Sequence, residues 1–513
     1  MESDSSKIDG FIRKHAFLIV ILVAIILRLL AVFFSKGFMA SDDQYETVDV
    51  AYNWLRNGLW SPEGLLTWGG TVTREVSRFP LYTLFLYGIM KIYLAVGVDS
   101  LNTIMYGVRA VHAAISLVSV WAVFRVVEDT TRSRGWAAIA GLVTAAHFAM
   151  PFLSVRTLIE MVGGHLWVVA ILLFYRYRDK PADLTLVLSG LIVGLAWVIR
   201  FQVALAAVAV PFVLWWEYRK LRPAVLFSAG VAAVVLISGV VDYFLLGSFA
   251  DSTINYLRQS ISEATPYKSS PLIYPAVLLF FFIPPLSLAA FSLAAVPSYW
   301  KKHRMLIWTT LVFVVAHTLA SNRQERFMIT IIPTLIILLT LAVHHHWSNR
   351  GLLFRKRRLI KTVVYISAAI NLLLLFPMTL NYAHRGKVEP LTRIEAEPVA
   401  LRVIFIAPET GGIFPLYYGG YESPEYGHLL SWSDLSRFSE LHSHRPYTHF
   451  IIYPPSAGDM PRYADTLTAY FGQLTESFHV GPSTVDYVLH LLNPEHNPTG
   501  EAWIYKPAEL ARD

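Results

Sequence analysis

The sequence predicts an all-α polytopic membrane protein that ends in a soluble α/β domain on the non-cytoplasmic side, and three observations predict it. Of 513 residues, 55% are hydrophobic and only 15% charged, with a mean hydropathy of +0.48; soluble domains carry about a quarter charged residues. Apolar runs, about eleven of them, succeed one another up to residue 380, most near the length that crosses a bilayer as a helix. Lys and Arg gather on alternate loops between those runs, as the positive-inside rule requires.

The polar start, 1–15, carries Lys7, Arg13 and Lys14 and is expected in the cytoplasm. The first apolar run, 16–34, has no Ala-x-Ala site after it and is too long for a signal-peptide core, so it reads as an uncleaved anchor. The run 81–96 is short, interrupted by Gly88 and Lys91 and framed by Pro80 and Gly97. It is expected to lie as a helix in the outer interface. Spans follow at 104–126, 136–150, 163–174, 184–199, 203–216, 225–246, 272–296, 305–320, 328–343 and 360–380. Basic clusters at Arg176, Arg178 and Lys180, at Arg219, Lys220 and Arg222, at Lys301, Lys302 and Arg304, and at Arg355 to Arg358 fall on loops in phase with the basic start. The amino end is therefore expected inside and the carboxyl end outside. The net charge of +7 is thus a topology signal and not a nucleic-acid footprint. The absence of cysteine excludes disulfides, thiolate zinc and a thiol nucleophile.

Two domains are expected: a membrane domain over 1–380, whose first outer loop is 36–102, and a soluble domain over 381–513. In the latter, apolar runs shorten and Gly, Pro, Ser, His and Tyr separate them. Residues 403–407 and 449–453 read as short buried strands, and 463–471 as a helix. Gly411, Gly412, Gly419 and Gly420 lack the dinucleotide-binding spacing and read as turns.

With that topology the unusual polar residues fall on the outer face. The stretch after the first span carries Asp42, Asp43, Glu46 and Asp49; a solvated loop would account for them, and so would a chemical role. Also outside are Arg74 and Arg78, then Arg156 with Glu160, then Arg200 with Gln202, the loop through Tyr267 and Lys268, and finally Arg323, Glu325 and Arg326. Arg28 and Arg109 add charge within or beside spans, where it is costly. Single arginines can pair within the chain, for instance Arg156 with Glu160 one turn on. The set as a whole suits a lipid phosphate, which guanidinium forks bind bidentately. Carboxylate plus phosphate-binding arginines can transfer a sugar from a lipid phosphate: a base takes the acceptor proton, and the cations steady the departing phosphate. The acids Asp42, Asp43 and Glu46 could hold a divalent ion, but no cofactor is expected to be required. His344, His345 and His346 end a span on the cytoplasmic side and read as interfacial anchors.

These residues resemble the GT-C membrane glycosyltransferases, and most closely family 22, the dolichyl-phosphate-mannose-dependent mannosyltransferases. The family's acidic first-loop motif is matched by Ser41, Asp42 and Asp43, then Tyr45 and Asp49. Its step before the interfacial helix is matched by Arg78, Phe79 and Pro80, and its Ser-Arg-Thr segment by Ser154, Arg156, Thr157 and Glu160. Arg200 alone stands for its Arg-Pro-Thr, and Asn322 to Phe327 correspond to its late His-Lys-Glu-x-Arg-Phe motif. The match runs in order from Arg28 to Pro333, with Ser41, Asn322 and Gln324 departing from the family's Pro, His and Glu.

The resemblance implies a GT-C-like fold and inverting transfer of a hexose, mannose first, from a polyprenyl- or dolichyl-phosphate donor to a glycan or glycolipid acceptor. It places the catalytic aspartate on Asp42, with Asp43 second. Arg78, Arg156, Glu160, Arg200, Arg323, Glu325 and Arg326 would line the substrate site, with Glu46, Asp49, Arg28, Arg109 and Tyr267 as further candidates. The expected partners are the lipid donor, the acceptor and the bilayer, with no nucleic acid. The expected location is a bacterial or archaeal plasma membrane, or the endoplasmic reticulum in a eukaryote. Rival readings are an oligosaccharyltransferase or ligase using a diphosphate-linked donor, and a flippase or transporter of lipid-linked sugar.

Overall fold

The computed structural model of the chain describes residues 2–39, 44–59, 67–68, 71–72, 79–262, 270–320, 323–349, 357–397, 401–412, 414–420, 425–494, 497 and 500–510. Among these, six helices are long and apolar enough to cross a membrane: Lys14–Phe34, Leu101–Thr131, Ile159–Asp179, Leu221–Leu246, Glu325–Ser348 and Arg358–Thr379. Where the sequence reads one span over 272–296, the structure has two helices, Ile273–Phe281 and Leu286–Ala294, bent by 117°. Pro284 and Pro285 occupy the break, and proline interrupts the helical hydrogen-bond ladder. Shorter apolar helices are Leu81–Ala95, Asp183–Ile199, Val203–Tyr218 and Arg304–Leu319. Leu81–Ala95 is one continuous helix despite Gly88 and Lys91. The span read over 136–150 closes early, as helix Arg134–Ala146, because His147 turns extended (φ −61°, ψ 137°). The protein is mostly helical, integral and multi-pass.

The chain forms two compact units: Met1–Ala31, Thr67–Tyr82 and Ala110–Thr379 make the first; Val32–Leu66, Thr83–Arg109 and Leu380–Asp513 the second. In the first unit the Glu325–Ser348 helix is the core element, with 83% of its apolar window buried, whereas Arg358–Thr379 buries 11%. Phe212, Phe244, Leu319 and Leu373 are exposed on the outer surface. Lipid, as apolar as they are, removes the penalty water would impose.

The second unit holds a short hydrogen-bonded bridge between Gly37 and Ala383 and a five-stranded sheet. Its strands follow the hairpin strands β1 (Thr67–Trp68) and β2 (Thr71–Val72) of the first unit: β3 Arg402–Ile406, β4 Glu425–Leu429, β5 His449–Ile452, β6 Leu474–Val480 and β7 Ala502–Pro507. The order is β4-β3-β5-β7-β6; β3 runs parallel to β4 and β5, while β7 is antiparallel to β5 and β6. Past their first residues, Arg402 and His449, strands β3 and β5 are apolar and buried because both faces are covered. Helix Met460–Phe471 packs its Tyr463, Leu467 and Phe471 on a core with Ile404, Ile406, Phe450, Ile452 and Trp503.

Candidate active site

In the first unit, three stretches far apart in sequence bring charge to one buried point. Glu160 lies in the first turn of helix Ile159–Asp179, where unpaired amides favour a carboxylate. Arg200 caps the far end of helix Asp183–Ile199, where the helix dipole favours a cation. Arg326 lies in the 3-10 turn Glu325–Ile331. Arg200 places a terminal nitrogen 2.9 Å from Glu160 Oε1, and Arg326 Nε stands 3.7 Å from the same oxygen. Glu160 is 0% exposed, Arg200 2% and Arg326 11%.

Small residues permit this convergence. A Cβ on Gly163 would lie 3.1 Å from the Arg200 Cβ, and one on Gly164 would lie 2.7 Å from the Thr330 carbonyl oxygen. The glycine pair therefore lets both arginine-bearing segments press on the helix that carries Glu160. Aromatic rings set the guanidinium planes: Arg200 lies 5.0 Å and Arg326 5.7 Å from the Phe327 centroid, and Arg156 lies 4.2 Å from Phe152. Arg326 Nε also donates to Gln324 Oε1 at 2.8 Å, and Arg323 Nε to the Thr318 carbonyl at 3.0 Å. Glu325 is exposed.

Beside Arg200 opens a small cleft walled by Trp197, Phe201, Gln202, Ser252 and Tyr256. Gln202 donates to the Tyr256 hydroxyl, and Asp242 accepts from the Ser252 amide (3.0 Å) and hydroxyl (2.6 Å). Sequence reasoning missed Trp197, Tyr256 and the glycine pair. In an apolar run, an aromatic or a glycine carries no signal that separates a cleft wall from a lipid-facing side chain.

The remaining expected residues divide as follows. Asp42, Asp43, Arg78 and Tyr267 lie outside the described residues, as does the side chain of Glu46. Arg28 is buried, with Nε donating to Ser116 Oγ (2.6 Å) and a terminal nitrogen 3.3 Å from the Ala24 and Ala145 carbonyls. Arg109 belongs to the second unit, where Nε donates to the Val32 carbonyl at 2.9 Å and the guanidinium covers Tyr106. Among the described residues, no three His, Asp or Glu side chains gather as a metal cage.

The second unit fixes both flanks of the acidic stretch. On one side Ala383 N–H donates to the Lys36 carbonyl (3.1 Å), Ser35 Oγ to the Asn381 carbonyl (3.1 Å), and Phe38 meets His384 edge-on. On the other, the Asp49 carboxyl accepts from the Tyr417 amide, and the Tyr52 hydroxyl donates to the Gly420 carbonyl at 2.7 Å. Asp49 is buried, and among the described residues its Oδ1 has no hydrogen-bond partner. Burial pushes its carboxyl well above the usual range, opposed by the Tyr417 amide. The folded state thus keeps a proton that the unfolded chain releases once pH passes about 4. Stability should fall as pH rises from there until the folded carboxyl ionises. Asp49→Asn, which cannot ionise, is expected to remove that slope, so its melting midpoint should exceed the parent's by more at neutral pH than in acid. Parallel curves in a pH series of thermal melts would contradict this.

Compared with known proteins, residues 19–399 match the family model described as the Alg9-like mannosyltransferase family. The chain is 24% identical over 352 residues to GPI alpha-1,2-mannosyltransferase 3 of Homo sapiens, covering 65% of this chain and 59% of that one. It thus spans less than two thirds of the human relative's length. It is 23% identical over 393 residues to GPI mannosyltransferase 3 of Yarrowia lipolytica, covering 73% and 70%. In fold, it resembles ArnT from Cupriavidus metallidurans bound to undecaprenyl phosphate (TM-score 0.57, 12% identity, 96% of this chain and 98% of that one). It also resembles the oligosaccharyltransferase AglB from Archaeoglobus fulgidus in complex with an inhibitory peptide and a dolichol-phosphate (TM-score 0.52, 12% identity, 90% and 72%).

Proposed function

The chain belongs to the Alg9-like mannosyltransferase family and is a glycosyltransferase, and from that premise we propose that it moves a hexose, mannose first, from a polyprenyl- or dolichyl-phosphate to a glycan or glycolipid acceptor at the non-cytoplasmic face. The observation that carries this reading is the meeting of Glu160, Arg200 and Arg326, which come from three of the family-like segments. That two fold relatives are described with undecaprenyl phosphate and dolichol-phosphate supports a polyprenyl carrier. The topology proposed with it has the amino end inside, about eleven crossings, and residues 381–513 outside, in accord with the basic loops.

In the proposed reaction the acceptor oxygen attacks the anomeric carbon as the bond from that carbon to the phosphate oxygen breaks. The acceptor proton passes to Asp42, with Asp43 as the alternative base. The bonding electrons leave with the lipid phosphate, whose growing charge Arg326 and Arg323 stabilise. Arg78, Arg156 and Arg200 shape the site, and Glu160 holds Arg200 and Arg326 in register.

Arg326→Ala tests the donor assignment. A charge-assisted hydrogen bond contributes about 1.5–3 kcal/mol, so the KM for polyprenyl-phosphate mannose should rise about 10- to 100-fold while the acceptor KM holds. Steady-state kinetics with each substrate varied in turn would show this, and an equal rise in both would refute the role. Offering mono- and diphosphate-linked donors to the purified protein separates this reading from a ligase.

A further inference from the structure

The first unit carries a second, separate gathering of cations. Helix Ile159–Asp179 holds Glu160 in its first turn and Arg178 in its last, and 18 residues of helix span about 27 Å. That is close to the hydrocarbon thickness of a bilayer. At the Arg178 end lies a small, partly open cleft, lined by Arg178, Lys302 and Arg304 over an apolar floor of Phe174, Leu214 and Met305.

Two of its cations are oriented in advance. Arg178 stacks 4.6 Å from the Tyr175 ring and donates to the Lys302 carbonyl at 3.3 Å. Tyr175 is fixed in turn by a 2.9 Å hydrogen bond between its hydroxyl and His303 Nδ1. Arg304 stacks 4.8 Å from Trp216. Among the described residues, no carboxylate oxygen lies within 4.0 Å of any of the three cations, although Glu217 also lines the cleft. Glu217 faces Arg178 and Arg304 electrostatically from the cleft wall, and one carboxylate against three cations leaves the cleft net positive. Alongside, Phe212, Trp215 and Trp216 of helix Val203–Tyr218 stand exposed, an apolar strip of the kind that acyl chains cover. The aromatic residues around the cleft suit the headgroup level of a membrane.

We propose that this cleft binds the phosphate of an anionic phospholipid in the leaflet opposite the Glu160 cluster. Arg178, Lys302 and Arg304 contact the phosphate oxygens, Glu217 receives a hydroxyl of the headgroup, and the chains run along the Phe212–Trp216 strip. Basic pockets between transmembrane helices are a recurrent form of lipid recognition, and guanidinium planes already set by aromatic rings lose little freedom on binding. The site is independent of the transfer reaction.

The test uses the purified full chain in phosphatidylcholine nanodiscs, with phosphatidylglycerol added in steps and lipid retention read by native mass spectrometry. Phosphatidylglycerol should be retained at least about tenfold more tightly than phosphatidylcholine, a difference of about 1.4 kcal/mol. Lys302→Gln and Arg304→Gln, at sites open enough to spare the fold, should each remove most of that preference. Lys361→Gln, on a different helix and outside the cleft, should keep it. Soluble glycerol phosphate and inorganic phosphate, which lack acyl chains, should compete poorly. Equal retention of the two lipids, an equal effect of Lys361→Gln, or full competition by inorganic phosphate would overturn the assignment. Melting midpoints of each variant in phosphatidylcholine alone identify any that has lost its fold, and if Arg304→Gln is one of these, Lys302→Gln decides.

Discussion

Asp42→Asn is expected to lower turnover about 10²- to 10⁴-fold, the range that a general base contributes, while leaving expression, membrane insertion and donor binding intact. The substitution keeps the shape of the side chain and removes only its capacity to take a proton. Asp43→Asn should cost less, because Asp43 is the second choice for that proton. Radiolabelled transfer from polyprenyl-phosphate mannose by the two purified variants gives the comparison. Undiminished turnover by Asp42→Asn would falsify the base assignment, and with it the part given to the acidic stretch.

Glu160→Ala is expected to unfold the first unit under conditions that the parent withstands. Glu160 is fully buried and faces Arg200 at 2.9 Å and Arg326 at 3.7 Å. Removing one partner of a buried ion pair strands the other charge at a cost of about 3–5 kcal/mol, a large part of the 5–15 kcal/mol typical of a whole fold. Glu160→Gln keeps a hydrogen-bond acceptor and should sit between the two. The pairing is better understood as geometry than as stabilisation, since an apolar replacement of the whole group could pack as well. The combined variant Glu160→Leu with Arg200→Met is therefore expected to regain part of the lost stability and none of the activity. Thermal melts of the three variants decide it: a combined variant no more stable than Glu160→Ala would reject the buried-charge account.

Much of this was legible in the sequence, and for identifiable reasons. Long apolar runs announce helices because lipid leaves the backbone no other way to satisfy its hydrogen bonds. The Arg156–Glu160 segment, Arg200 and Arg326 stood out because charge beside a span needs a reason. Their convergence was not legible, because it depends on Gly163 and Gly164, whose role is to contribute nothing at the contact. The bend at Pro284 and Pro285 was passed over because hydropathy continues across it. In the second unit β3 and β5 were found and β4, β6 and β7 missed. Edge strands such as Glu425–Leu429, with polar residues facing outward, give no apolar run to read. Arg28 and Arg109 drew attention as charges in apolar surroundings, yet a hydroxyl and a carbonyl oxygen of neighbouring helices accept from the Nε of each.

The ties from Lys36, Phe38, Asp49 and Tyr52 to residues 381–420 bear on how this chain can be re-engineered and how it diverges. The carboxyl-terminal portion is no interchangeable cassette, since it supplies the abutments between which the acidic stretch is strung. A chimera that grafts a relative's ending onto this membrane core would need the matching entry segment grafted with it. Drift at either seam should therefore be compensated at the other, more than three hundred positions away along the chain.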